Sequence, residues 1–265
     1  MAKSRLDSLL AERGLFDSRS RAAAAVMAGK VRLGGDGRRA EKPGQMVASD
    51  VPVSVDPGNE YVSRGGVKLA NALDSFGLDV AGRHALDVGA STGGFTDCLL
   101  QRGASHVVAV DVAYGELHWR LRGDPRVTVV ERANARALSA DALPYRPDLI
   151  VLDLSFISLS KVLPAVLAVP AEEFDCLALV KPQFELGRER GGRGGVVRAA
   201  ADRREALVSV GEFVSTSLGL SVLGFASSGL PGPAGNEESF VWIGPAGDPR
   251  AVSSVSDAAA VVEPA

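Results

Sequence analysis

Hydrophobic and polar positions change period twice along this chain. Leu6, Leu9 and Leu10 recur at helical spacing, and Gly14 follows as a helix stop. "DSRSRAAAAVMAGK" offers Asp17 or Ser18 as an N-cap to an alanine-rich helix that ends at Gly29. "KVRLGGDGRRAEKPGQMV" predicts a strand, a Gly-Asp-Gly turn and a second strand. Two short helices on a small hairpin sheet thus account for a small α+β domain over residues 1–58. "DPGNEYVSRGG" is rich in turn formers, and residues 59–63 read as a linker. "VKLANALDSF" then returns to helical period through Val67, Leu69, Ala70, Leu73 and Phe76, with Lys68 near its start.

From Arg83 onwards the pattern alternates. "HALDVGA", "HVVAVDV", "VTVVER", "DLIVLDLS", "CLALVKP", "LSVLGFAS" and "FVWIG" read as strands, with helices over 94–102, 159–168 and 199–218. Such alternation predicts an α/β fold, a Rossmann-like doubly wound sheet of seven strands with helices on both faces, over residues 64–247. "DPRAVSSVSDAAAVVEPA", residues 248–265, is small and polar and is expected to be a disordered tail.

Composition narrows the class without naming it. The 265 residues are 46% hydrophobic and 23% charged. No apolar run reaches the ~18 residues of a membrane span, and "MAKSRLDSLL" lacks the features of a signal peptide. Two cysteines, Cys98 and Cys176, make no framework and read as small buried apolar residues; the cytoplasm is the expected compartment. Charge is uneven. Residues 1–49 carry ten Lys/Arg against five acids, +5, which leaves −8 of the total −3 for the remainder. A basic head on an acidic body suggests a polyanion bound by the head. Lys3, Arg5, Arg19, Arg21 and Lys30, with Arg64 just beyond the linker, are the candidate phosphate contacts.

The candidate chemistry lies in the second domain. "LDVGASTGGFTD" ends a strand in a glycine-bearing turn before a helix, so Gly89, Ala90, Ser91, Thr92, Gly93, Gly94 and Phe95 are placed to meet a ligand. Its spacing is neither G-x-G-x-x-G nor the phosphate cradle G-x-x-x-x-G-K-[ST]. Asp111, followed by Val112, ends the next strand about 20 residues on, where a carboxylate can accept from ribose hydroxyls. It could instead cap a helix over "AYGELHWRL". Asn134, after the third strand, is a candidate partner for adenine. Adenosine without a pyrophosphate is the ligand these features suit, and S-adenosylmethionine fits that description; no metal is called for.

Lys181 ends the buried strand "LALV", and lysine is almost never buried without a partner. No cysteine stands beside a proline, as methylation at pyrimidine carbon would need, and no Pro-Pro turn follows the fourth strand, as exocyclic amine methylation commonly uses. A ribose 2′-hydroxyl needs a base. Lysine can be that base when burial and a neighbouring cation depress its pKa. Lys68 is the candidate neighbour, and Asp153 and Glu238, at strand termini, are the candidate carboxylates that orient the amines.

Two resemblances extend this picture. "RLDSLLAERGLFDSRSRAAAAVMAGKVRLGG" resembles the S4-type RNA-binding domain. "SRGGVKL", "DVGASTGGFTD", "VVAVDV", "LDLSFISL", "LVKPQFE" and "GNEESF" resemble the FtsJ-like 2′-O-methyltransferases and, with the head, the TlyA family of ribosomal RNA cytidine methyltransferases. The resemblance implies a Lys68, Asp153, Lys181, Glu238 tetrad with Lys181 as base. It also implies S-adenosylmethionine as cofactor, cytidine ribose in 16S and 23S ribosomal RNA as substrate, and an effect on susceptibility to capreomycin-type antibiotics. One departure is visible: relatives carry Arg-x-Trp-Val in the linker where this chain has Asn59-Glu60-Tyr61-Val62. A non-catalytic ribosome-assembly factor and a haemolysin are the competing classes.

Overall fold

A computed structural model describes residues 3–55, 60–187 and 195–264. The chain forms two compact units, Met1–Glu60 and Tyr61–Ala265. The predicted boundary at 58 and linker residue Asn59 lie outside the described residues.

In the first unit, β1 (Lys3–Arg5) leads into α1 (Leu6–Glu12), followed by α2 (Arg19–Met27), β2 (Val31–Leu33), β3 (Arg38–Arg39), β4 (Met46–Ala48) and β5 (Val53–Val55). Ser18 is the cap of α2, its side chain accepting from the Arg21 amide at 3.2 Å. The predicted hairpin is β2 with β3, and β5 pairs on the other side of β2. Beyond the prediction, β1 pairs β4. Leu6 and Leu10, one helical turn apart, close onto Ala22, Val26, Val31 and Leu33 as the core.

The second unit begins earlier than expected. Tyr61, assigned to the linker, is buried in its core, and the Val62 amide donates to Asp97 at 2.8 Å. An aromatic ring beside Gly66 gains apolar burial that a solvated linker would forgo; a Cβ on Gly66 would stand 2.2 Å from Tyr61 Cγ.

Next come α3 (Arg64–Phe76), β6 (His84–Val88), α4 (Gly94–Gln101), β7 (His106–Val110), α5 (Trp119–Arg122) and β8 (Val127–Val130). The chain continues through β9 (Leu149–Leu152), α6 (Leu163–Val166), β10 (Asp175–Val180), α7 (Pro182–Glu185), α8 (Ala200–Glu212), β11 (Ser221–Ser227), β12 (Ser239–Gly244) and α9 (Val255–Val262). The strands form one seven-stranded sheet ordered β11-β12-β10-β9-β6-β7-β8. β6 to β10 run parallel; β12 lies antiparallel to both β10 and β11.

Alternation along each strand distributes side chains to two cores. Leu86, Val108, Ile150 and Ala178 meet Ala206, Leu207 and Val210 of α8 on one face. Ala85, Val107, Val151 and Leu179 meet Leu69 and Leu73 of α3 and Leu99 of α4 on the other. Strand order reverses between β6 and β9, which opens a crevice at their carboxyl ends.

Two expectations fail. The helix over "AYGELHWRL" exists only from Trp119. The tail is ordered: Ser254 caps α9, accepting from the Asp257 amide at 3.2 Å, and Ala259 is fully buried. Glu263, also buried, pairs with Arg203 of α8 at 2.8 Å. Its alanines belong to a good helix former rather than to low complexity, and Val255 fits where Gly211 carries no Cβ.

Candidate active site

At the carboxyl ends of the strands the α3 side of the sheet collects four charged side chains. Lys68 lies one turn before Ala72 and beside Leu69, on the buried face of α3, and is 6% exposed. In β10 Leu177 and Leu179 face α3, so alternation carries Lys181 to the same side. In β12 Phe240 faces α3, and Glu238 follows by the same rule. The register Val180 opposite Ser239 brings Lys181 level with Glu238 one step further on. Asp153 continues β9 from Val151.

These four groups form two lysine–carboxylate pairs. Lys68 Nζ donates to Glu238 Oε2 at 2.5 Å, and Glu238 is only 2% exposed. Lys181 Nζ lies 2.6 Å from Asp153 Oδ1 and donates to Ser155 Oγ at 3.0 Å. The Lys181–Asp153 contact is close but not aligned as a hydrogen bond, so Asp153 Oδ1 keeps an unused lone pair. Lys68 therefore has its ion-pair partner in Glu238.

Two cavities meet here. The first, about 570 Å³, runs along the carboxyl ends of β6, β7 and β9 and is lined by Gly89, Ser91, Asp111, Val112, Asn134 and Asp153 among others. The second, about 510 Å³, holds Lys181, Gln183, Phe184, Asn236 and Glu238. Ser155 and Phe156 line both.

The glycine turn is shaped as much by its neighbours as by any ligand. Gly89 has φ +87°, and a Cβ there would stand 2.5 Å from the Asp153 carbonyl oxygen. Any side chain would drive apart the strand ends that flank the crevice. Of the residues expected to meet a ligand, Ala90 lies under the Ser91–Asp111 contact, while Thr92 faces solvent. Gly93, Gly94 and Phe95 are buried in helix packing, the Phe95 ring 5.8 Å from that of Phe240. They shape the turn and do not line the larger cleft.

Asp111 accepts from the Ser91 amide at 2.7 Å and from the Ala113 amide at 2.8 Å. It caps no helix; it pins the glycine turn to the β7 loop with its remaining lone pairs facing the cleft. Asn134 accepts from the Arg136 amide at 3.1 Å, which leaves its amide nitrogen to donate. Glu116 adds a third carboxylate to the lining beside Asp111 and Asp153, against the single cation Arg136.

Sequence reasoning missed several of these groups. Ser155 sits in a loop and Gln183 in the single turn of α7, and no periodicity reports the course of either. Asp87, inside "LDVGA", is fully buried; Thr96 Oγ1 donates to its Oδ2 at 2.6 Å, and its Oδ1 has no partner. Burial, reinforced by the nearby charges of Asp153 and Asp111, pushes its carboxyl up to about 7. An acid on the same strand face as Ala85 was the available signal.

Family models match both units: an S4 domain over residues 4–51 and an FtsJ-like methyltransferase over residues 61–245. The chain belongs to the FtsJ-like methyltransferase family. The 16S/23S rRNA (cytidine-2′-O)-methyltransferase TlyA of Mycobacterium tuberculosis is 49% identical over 243 residues, 91% of this chain and 90% of that protein. The 23S rRNA (cytidine-2′-O)-methyltransferase TlyA of Campylobacter jejuni is 32% identical over 69% of this chain and 70% of its own length. A solved structure from Streptococcus thermophilus that carries the name haemolysin is 38% identical, with TM-score 0.71, covering 98% of this chain and 96% of that one. Among the described residues of this FtsJ-like methyltransferase, no helix is long and apolar enough to cross a membrane, and no cluster of His, Cys, Asp and Glu could hold a metal ion.

The S4 head spends part of its basic charge internally. Arg5 and Arg19 both pair with buried Asp7, at 2.9 and 3.1 Å, and the Arg5 hydrogen bond, joined by Arg19, holds that carboxyl well below the usual range. Arg21 pairs with Asp17. Lys3 and Lys30 are exposed without an ion pair among the described residues. Arg64 belongs to the methyltransferase unit and donates to the Pro231 carbonyl at 2.9 Å, next to the second cavity.

Proposed function

We propose that this protein methylates the 2′-oxygen of a cytidine in 16S and 23S ribosomal RNA, using S-adenosylmethionine. The observation that carries this reading is the Lys181 amine, 9% exposed, which lines the second cavity and is held by Asp153 and Ser155 of the first. S-adenosylmethionine supplies an electrophilic methyl on a sulfonium sulfur. The cleft suits a cationic ligand because three carboxylates line it, and such a lining would repel phosphates. Asp111, already oriented by two backbone amides, can accept from ribose hydroxyls; Asn134 can donate to adenine.

Lys181 Nζ takes the proton of the 2′-hydroxyl as the oxygen becomes a nucleophile. Ser155 and Asp153 fix the position of Nζ, and Asp153 offsets the ammonium charge that proton transfer creates. Lys68 and Glu238 are locked to each other and buried, and the pair fixes the wall that Glu238 gives the second cavity. RNA phosphates would be held by the basic head, chiefly through exposed Lys3 and Lys30, with Arg5, Arg19 and Arg21 contributing the donors their acids leave free.

The test is Lys181→Ala with ribosomal subunits and labelled S-adenosylmethionine. Transfer is expected to fall by about 10²–10⁴-fold, with RNA affinity within about twofold; turnover at the wild-type rate would remove Lys181 from the chemistry. Mapping of 2′-O-methylated nucleotides with and without the protein identifies the target cytidines.

A further inference from the structure

Gln183 carries an unused hydrogen-bond acceptor at the wall of the second cavity. Its side-chain Oε1 is closed to solvent and has no hydrogen-bond partner among the described residues. Buried amide oxygens in folded proteins are nearly always paired, so an orphan of this kind calls for an explanation. The same residue lines the cavity that holds Lys181 and Glu238. Its backbone is held firmly. Pro182 starts α7, and Glu185 at its other end accepts from Ser158 Oγ at 2.6 Å and from the Leu159 amide at 2.9 Å. A position fixed at both ends, with an acceptor left unpaired, is a built recognition element rather than a loose surface amide. A turn about its terminal torsion, which is broad for an amide, would carry Oε1 from its closed position towards the cavity. Phe184, on the same wall, offers an apolar surface beside it.

We infer that Gln183 reads the base of the target nucleotide, its Oε1 accepting a hydrogen bond from the exocyclic amine of cytosine. This rests on the ribose-methylation reading above and adds the origin of its base preference. With the ribose hydroxyl at Lys181, the attached base extends along the cavity wall, and Gln183 stands two residues further along the chain from that amine. Cytosine presents an N–H donor where uracil presents a carbonyl oxygen. Facing Oε1, uracil would set acceptor against acceptor, and the orphan would stay unpaired. A site built to hydrogen-bond one group rejects the analogue that lacks it more strongly than an apolar pocket rejects a change in size.

The experiment uses the full chain, labelled S-adenosylmethionine and ribosomal RNA substrates carrying either the mapped target cytidine or a uridine in its place. The ratio of kcat/KM for the two substrates is measured for wild type, Gln183→Leu and Gln183→Glu. Wild type is expected to favour cytidine by about 10–100-fold. Gln183→Leu should bring the ratio to within about threefold of unity, mainly by slowing cytidine. Gln183→Glu, of the same shape and only able to accept, should keep the preference. Because each ratio is internal to one variant, a general loss of fold or rate cancels from it. A wild-type ratio in Gln183→Leu, or a lost preference in Gln183→Glu, would overturn the assignment while leaving ribose methylation intact. Failure of wild type to methylate either RNA would instead overturn the methylation reading, and this assignment with it.

Discussion

The two ends of the same sheet handle charge in opposite ways. At the amino ends, Asp175 is saturated: it receives Arg83 at 3.0 Å, the Trp242 indole at 2.9 Å and Arg250 at 3.1 Å. Arg83 also pairs with Asp148, Arg250 pairs with Asp248, and Arg250 lies over the Trp242 ring. Asp148, Asp175 and Asp248 all meet guanidinium or indole donors. At the carboxyl ends the buried cations are two lysines, each paired to one carboxylate. The buried side-chain atoms left without hydrogen bonds among the described residues, Asp87 Oδ1, Asp153 Oδ1 and Gln183 Oε1, all lie there. Saturated networks stabilise; incomplete ones are costly in isolation. Arginine's fixed fork serves the first task, and lysine's compact amine, able to lose a proton, the second.

Three substitutions separate these roles, in decreasing order of effect. Lys68→Ala leaves Glu238 buried and uncompensated, so a stability loss of about 3–5 kcal/mol is expected, together with at least a ~100-fold loss of turnover at temperatures where the variant stays folded. Chemical denaturation alongside methyl transfer reads both; wild-type stability would mean that the Lys68–Glu238 pair is not formed. Asp175→Ala leaves Arg83 and Arg250 their second carboxylates and should cost less, about 1–3 kcal/mol for the donors it strands, yet leave kcat within about twofold, since nothing at the amino ends reaches either cavity. A large fall in kcat at full folding would erase the contrast between the two ends.

The smallest effect concerns shape rather than level. Asp87 titrates near 7 in the folded state against about 4 when unfolded. The native chain therefore holds a proton that the unfolded chain has lost, and the associated stability is present below about pH 4 and disappears as pH rises through about 7. Asp87→Asn should flatten that decline in cofactor-free protein and make the variant relatively more stable at pH 8 than at pH 4. Parallel wild-type and variant curves would show that Asp87 is charged throughout.

Legibility in the sequence followed locality. The lysine at the end of "LALV" stood out because an amine after four apolar residues breaks a pattern, and Asp153 and Asp111 stood out as acids at strand ends. Gly93, Gly94 and Phe95 did not join the ligand-facing set, because a glycine turn looks the same in sequence whether it faces a ligand or a neighbouring helix. The tail was misjudged for a related reason. Alanine and serine carry little apolar signal, and whether α9 packs depends on the groove at Gly211, 44 residues earlier. Arg5 and Arg19 announced a basic face, but their engagement with Asp7 depends on bringing α1 and α2 together.

By itself the sequence determined what its periods encode: two units, an alternating β/α order, and which face of each strand or helix is apolar. Those follow from backbone geometry and burial, which act over a few residues. Only the tertiary structure decided which lysine meets which carboxylate, that two cavities share Ser155 and Phe156, and that Gln183 ends with an unpaired acceptor. Such outcomes depend on pairings between residues up to 170 positions apart, where the register of a strand, not its composition, chooses the partner.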